Sequence, residues 1–128
     1  TISPQGTHRI KLYVSKDVRF SDPFNDVMGA DAVVRVFDHM FATTDNPVFK
    51  VYDVAWGRNG RTVYLRWDFL FSPKGREVRW SITGMSEVMI DLDGRICSHI
   101  DHWDSQQLFN RSKLLNGLLG FVRGKLKA

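Results

Sequence analysis

A chain of 128 residues, 43% of them hydrophobic, has the length for one domain that buries about two-thirds of its unfolded surface. The location of its net charge of +4 argues against a broad basic face for nucleic acid: five of the eighteen basic residues and no acidic one follow Asp104, leaving thirteen against fourteen over residues 1–104. The lone Cys97 excludes an intrachain disulfide, no apolar run approaches the roughly 20 residues that cross a bilayer, and no signal-peptide pattern opens the chain, so a reduced cytoplasmic setting is expected.

In chain order, residues from about Gln5 to Val14 predict a short helix, and Val18 to Phe20 an extended entry. In "RFSDPFNDVMG" the carboxylate of Asp22 stands between Phe20 and the Pro23-Phe24 pair, and the proline holds it extended. Gly29 precedes an amphipathic helix from Ala30 to about Thr43, with Val33, Val34, Phe37, Met40 and Phe41 on one face. After Pro47 the period becomes two. Val48–Trp56, Thr62–Phe71, Glu77–Ile90 and Arg95–Trp103 predict strands joined by the turns "RNGR", "SPKGR" and "DLDGR", so successive strands should run antiparallel. Val63, Leu65, Trp67, Phe69 and Phe71 share a face of the second strand; Val78, Trp80, Ile82, Gly84, Ser86, Val88 and Ile90 share one of the third. From Ser105 the spacing is helical again, with leucines among basic residues that either pack on the body or meet an anionic surface or acidic partner. The expectation is one α+β domain over residues 1–128, with helices packed over one sheet face.

Two places carry candidate chemistry. Burial of Asp22 between aromatic rings would raise its pKa and suit it to general-base work; alternatively it caps the turn before Pro23 and faces water. In "ICSHIDHWD", alternation puts His99 and Asp101 on one face of a strand, where the carboxylate orients the imidazole, unless that face is simply solvated. His99, Asp101, His102 and Asp104 are split across two faces, so no metal site is expected. Nucleophile-elbow and phosphate-loop motifs are absent from the sequence, and no cofactor is expected.

The segments "LYVSKDVRFSDPF", "MGADAVVRVFDHMF", "SITGMSEVMIDLDGRICSHIDHWD" and "LLNGLLGFVRGKLK" resemble the nuclear-transport-factor-2-like superfamily, closest to its SnoaL-like, polyketide-cyclase-like branch. The resemblance implies a cone-shaped α+β fold in which a curved, antiparallel-rich sheet wraps around helices and encloses a pocket. Ketosteroid isomerase is a member, and its general-base aspartate matches Asp22. Its protonated oxyanion-hole aspartate falls at Ser86, and its oxyanion tyrosine lies in a first helix mostly absent before Thr1, so its full machinery does not carry over. The resemblance further implies that His99, Asp101 and Trp103 face the pocket. Asp22, His99 and Asp101 are thus the candidate catalytic residues; Phe37, Phe41, Trp67, Trp80, Ile82, Ser86 and Trp103 are the candidate ligand-binding ones. The expected protein is a cofactor-independent isomerase, cyclase or dehydratase acting on a small hydrophobic carbonyl or hydroxyl compound, and a homodimer. The alternative is a non-catalytic ligand-binding or dimerisation module in which the three ionisable groups form a structural cluster.

Overall fold

A computed structural model describes residues 6–109 of the chain. A 3-10 segment (Thr7–Leu12) leads into β1 (Val14–Ser21), β2 (Asp26–Met28), α1 (Ala30–Thr43), β3 (Thr44–Trp56), β4 (Thr62–Pro73), β5 (Trp80–Ile90), β6 (Ile96–His102) and the short α2 (Gln106–Phe109). The six strands make one curved, unclosed sheet in the order β2-β1-β6-β5-β4-β3, giving the α+β architecture that the resemblance implied. Neighbours joined by turns are antiparallel, while β1 and β6 lie parallel. The leucine-rich basic helix expected from Ser105 lies outside the described residues beyond Phe109.

The helix expected over Gln5–Val14 is only six residues of 3-10 structure, because strand pairing takes over. The Tyr13 carbonyl accepts from the Ile96 amide at 2.9 Å, and Val14 already pairs with Ile96. Helix α1 has the predicted bounds. Gly29 adopts φ 100°, a conformation costly for other residues, which lets its amide bond the Val18 carbonyl while its carbonyl receives the Val33 amide. At the far end the Thr43 and Thr44 hydroxyls donate back to the carbonyls of His39 and Met40, and the chain enters β3 at once.

β3 therefore starts four residues before the expected Val48. Pro47, which cannot donate to a ladder, sits where the β3–β4 register slips between Asp45 and Val48, beside Asn46 at φ 50°. The Arg79 guanidinium donates to the carbonyls of Asp45 and Asn46, pinning this bulge. Arg79 thereby leaves the strand expected from Glu77, which starts only at Trp80, and Val78 is exposed rather than on the inner face.

From Trp67 on in β4 and Trp80 on in β5, the inward parity holds: Trp67, Phe69 and Phe71 face Gly84, Ile82 and Trp80 across the ladder. With Phe24 and Leu108 these side chains form one buried cluster. A second cluster joins Ile10, Val14, Val18 and Phe20 to Val33 and Val36 of α1. Helix α1 thus lies over the concave side of the sheet, with a hollow on each side of a Phe20–Phe37 ring contact.

Candidate functional site

A cavity of about 110 Å³ lies between α1 and the concave sheet face. Val36, Phe37 and Met40 line it from the helix, Trp67, Phe69 and Ile82 from the central strands, and Trp103 from beyond β6. Among the described residues its only ionisable lining groups are Asp22 and Asp101.

Asp22 occupies the tight connection between β1 and β2. Its Oδ1 accepts from the amides of Phe24 and Asn25 at 2.8 and 2.7 Å and from Asn25 Nδ2 at 3.1 Å, while Oδ2 takes only the longer 3.3 Å contact with Asn25 Nδ2. The two roles weighed from the sequence thus coincide: one oxygen caps the turn, and the carboxylate also lines the cavity. Burial raises its pKa above the ordinary carboxylate value, against the lowering effect of these hydrogen bonds, and the charge of Asp101 raises it further.

Asp101 is held by a chain of contacts across β4, β5 and β6. Trp67 Nε1 donates to Ser86 Oγ at 2.8 Å, and the Ser86 hydroxyl donates to Asp101 Oδ1 at 2.6 Å. His99 Nε2 meets the same oxygen at 2.7 Å. Among the described residues, Asp101 Oδ2 has no hydrogen-bond partner, leaving it for a ligand. The ladder sets this up: Ser86 is opposite Asp101, and Trp67 is opposite Gly84. A Cβ at Gly84 would stand 2.6 Å from the Trp67 ring, so only glycine admits that ring as it lies.

Of the candidates read from sequence, Asp22, Asp101, Phe37, Trp67, Ile82 and Trp103 share this cavity. The others stand elsewhere. Ser86 is buried behind Asp101, Trp80 is in the buried cluster, and Phe41 is half-buried outside the lining. His99 touches Asp101 but lines the second hollow, its ring 5.3 Å from that of Phe20. The parity argument put His99 and Asp101 on one face, which holds; the wall separating two hollows on that face could not be read from alternation. Phe24, Phe49 and Leu108 also line the cavity and were not singled out. Phe24 had a signal, its place beside Asp22, whereas Phe49 arrives through ring contacts across the β3–β4 ladder, stacked on Phe69 with centroids 4.3 Å apart and edge-on to Trp67.

A curved sheet closed by one helix over an apolar cavity that holds two carboxylates defines a small α+β pocket protein. The SnoaL-like domain family matches residues 5–99, and the chain belongs to it. No curated protein sequence matches it. Among solved structures, a steroid delta-isomerase from Pseudomonas aeruginosa is 20% identical with a TM-score of 0.59, the match covering 95% of this chain and 77% of that one. A putative SnoaL-like polyketide cyclase from Jannaschia sp. CCS1 is 11% identical with a TM-score of 0.68, covering 81% and 76%. A protein of ketosteroid isomerase-like fold from Catenulispora acidiphila DSM 44928, solved with trimethylamine, is 12% identical with a TM-score of 0.73, covering 83% and 81%. At these identities the likeness is one of fold. No described helix is long and apolar enough to cross a membrane.

Proposed function

We propose that the protein binds a small, mostly apolar carbonyl or hydroxyl compound and moves protons on it without a cofactor, in an isomerisation, cyclisation or dehydration. The observation that carries this is the pair of carboxylates in an otherwise apolar cavity: Asp22 Oδ1 is tied down by two backbone amides while its Oδ2 takes only a 3.3 Å contact from Asn25 Nδ2, and Asp101 Oδ1 is tied down while its Oδ2 has no hydrogen-bond partner among the described residues. Asp22 Oδ2 is the base: it takes a proton from the carbon next to a carbonyl, and the C–H electron pair moves into an enolate. Asp101 meets the developing oxyanion as its protonated acid, with Ser86 and His99 fixing its orientation. The proton on Asp22 then returns to a different carbon in isomerisation. In dehydration it stays while hydroxide leaves with the Asp101 proton as water. His99 meets Asp101 at 2.7 Å, and the charge of Asp101 acts on Asp22, so acid and base exchange roles around the cycle. Trp67, Phe37, Ile82 and Trp103 exclude water and fix the apolar part of the substrate. The cavity volume suits about one small ring.

The test requires no knowledge of the natural substrate. In deuterium oxide, wild-type protein should accelerate exchange of the α-protons of small cyclic ketones, followed by proton NMR. Asp22→Asn should cut that rate by about 100-fold or more while ketone binding persists. Ketone binding with exchange no faster than buffer would favour the non-catalytic carrier.

The homodimer is proposed on a separate observation. β3 is an edge strand of 13 residues, and Val48, Tyr52, Val54 and Trp56 on it are exposed. A long apolar edge invites pairing unless it is covered, and a second copy is the cover we assign to it.

A further inference from the structure

The second hollow, about 370 Å³, lies between the 3-10 segment, β1, α1 and the start of β6. Its floor is Val14, Val18, Val33 and Ile96, and its exposed rim carries Arg9 and Tyr13. Phe20 and Phe37 line both hollows, their rings edge to face with centroids 5.6 Å apart. Phe20 is held in the β1–β6 ladder opposite His99 and is almost fully buried, whereas Phe37 is a half-buried residue on α1. A single ring that can rotate about its own side-chain bonds therefore stands between a small cavity holding the carboxylates and a larger apolar one that ends at a cation. Arg9 forms no ion pair among the described residues, although Lys11, two residues on, is paired with Asp31.

We propose that the two hollows are one elongated binding site gated by the Phe37 ring, and that its ligand is an amphiphile. A carbonyl or hydroxyl end lies between Asp22 and Asp101, an aliphatic body passes Phe37 and Phe20 into the second hollow, and an anionic end meets Arg9. This rests on the reading of Asp22 and Asp101 as the polar reaction end, and it narrows the substrate class to long molecules with a carboxylate or similar anion remote from the reacting carbon. The reasons are chemical. A hollow of about 110 Å³ holds about one small ring and no long chain, the adjoining floor is aliphatic, and a guanidinium at its mouth favours a carboxylate, which it can grip with two parallel hydrogen bonds. His99 lines the second hollow while bonded to Asp101, so the aliphatic body would run beside the imidazole and shield the His99–Asp101 contact from water.

Calorimetric titration with two homologous series of roughly five to twelve carbons tests the proposal: simple methyl ketones, and keto acids with the methyl ketone at one end and a carboxylate at the other. Affinity in both series should keep rising, by about fourfold per methylene at most, well past the length that fills the first cavity. The long keto acids should gain about tenfold over the ketones of equal length, and Arg9→Gln, a surface change, should remove that gain while leaving the ketones unaffected. Val33→Phe, which fills the second hollow, should stop the rise early and spare the shortest ketones. If that variant does not fold, the chain-length series and Arg9→Gln still decide. A plateau once the first cavity is full, or equal loss of ketones and keto acids in Arg9→Gln, would overturn the elongated site and leave the reading of Asp22 and Asp101 standing. Failure of even the shortest ketones to bind wild-type protein would overturn both.

Discussion

Asp22 combines two demands that usually fall on separate residues. Its Oδ1 closes the β1–β2 connection, and its charge is carried in an apolar cavity. Because burial raises its pKa, the folded chain holds a proton on Asp22 at pH values where the unfolded chain has already released it. The folded state then binds more protons than the unfolded one, so this residue makes stability fall as pH rises from the ordinary carboxylate value through the raised one. Asp22→Asn keeps an oxygen that can accept the Phe24 and Asn25 amides but cannot ionise. Its stability, measured by urea unfolding across the acidic to neutral range, should lack that decline and exceed wild type on the neutral side. Asp22→Ala, by contrast, removes the carboxylate that the Phe24 and Asn25 amides share, leaving the Asn25 amide only its 3.3 Å bond to the main-chain carbonyl of residue 22, and should cost about 1–3 kcal/mol. Sequence placed Asp22 correctly beside aromatic rings, since Pro23 forces an extended residue there. What it could not show is that Oδ1 takes three of the hydrogen bonds and Oδ2 only the longest, because that depends on how the turn closes on Asn25.

At the level of elements, the site is written across three strands. Trp67 on β4, Ser86 on β5 and Asp101 on β6 form one row of donors ending on a carboxylate, and Gly84 leaves the space in which the Trp67 ring reaches it. Gly84→Ala should cost about 1–3 kcal/mol in denaturant unfolding, because the added methyl must displace either the Trp67 ring or the backbone of His102. It should also slow α-proton exchange, since the displaced ring no longer holds Ser86. Ser86→Ala tests the row without the clash: Trp67 Nε1 loses its acceptor, and a loss of about 1–3 kcal/mol is expected together with a blue-shifted tryptophan emission. A period of two grouped Trp67, Ser86 and Asp101 each with one face of its own strand, and the family resemblance implied that the Asp101 face lies on the pocket side beside Ser86. The register that sets Ser86 opposite Asp101 follows from the turn at residues 91–95 and a slip next to Ile90, neither of which alternation reports. The same blindness cost the start of β3, where a proline read as a boundary is accommodated as a bulge.

At the scale of the molecule, curvature of a single sheet around α1 explains why, among the described residues, two separate clusters of buried side chains replace one central core. The fold class and strand order by sequence were legible because the strands are long and their turns carry glycine; the parallel closure of β1 on β6 was not, because no turn links them. Sedimentation velocity should give a dimer, and Val54→Lys together with Trp56→Lys on the exposed part of β3 should give a folded monomer; a wild-type sedimentation coefficient of a monomer at all concentrations would remove the dimer. That parallel closure has a temporal consequence. Asp22 follows the second strand from one edge and Asp101 sits on β6, the last strand in sequence among the described residues, and Phe20 meets His99 only once both exist. A nascent chain on the ribosome therefore holds one acid without its counterpart until its sixth strand emerges. Loop closure over so long a span is slow, so the cavity that holds both carboxylates is completed only after β6 has paired.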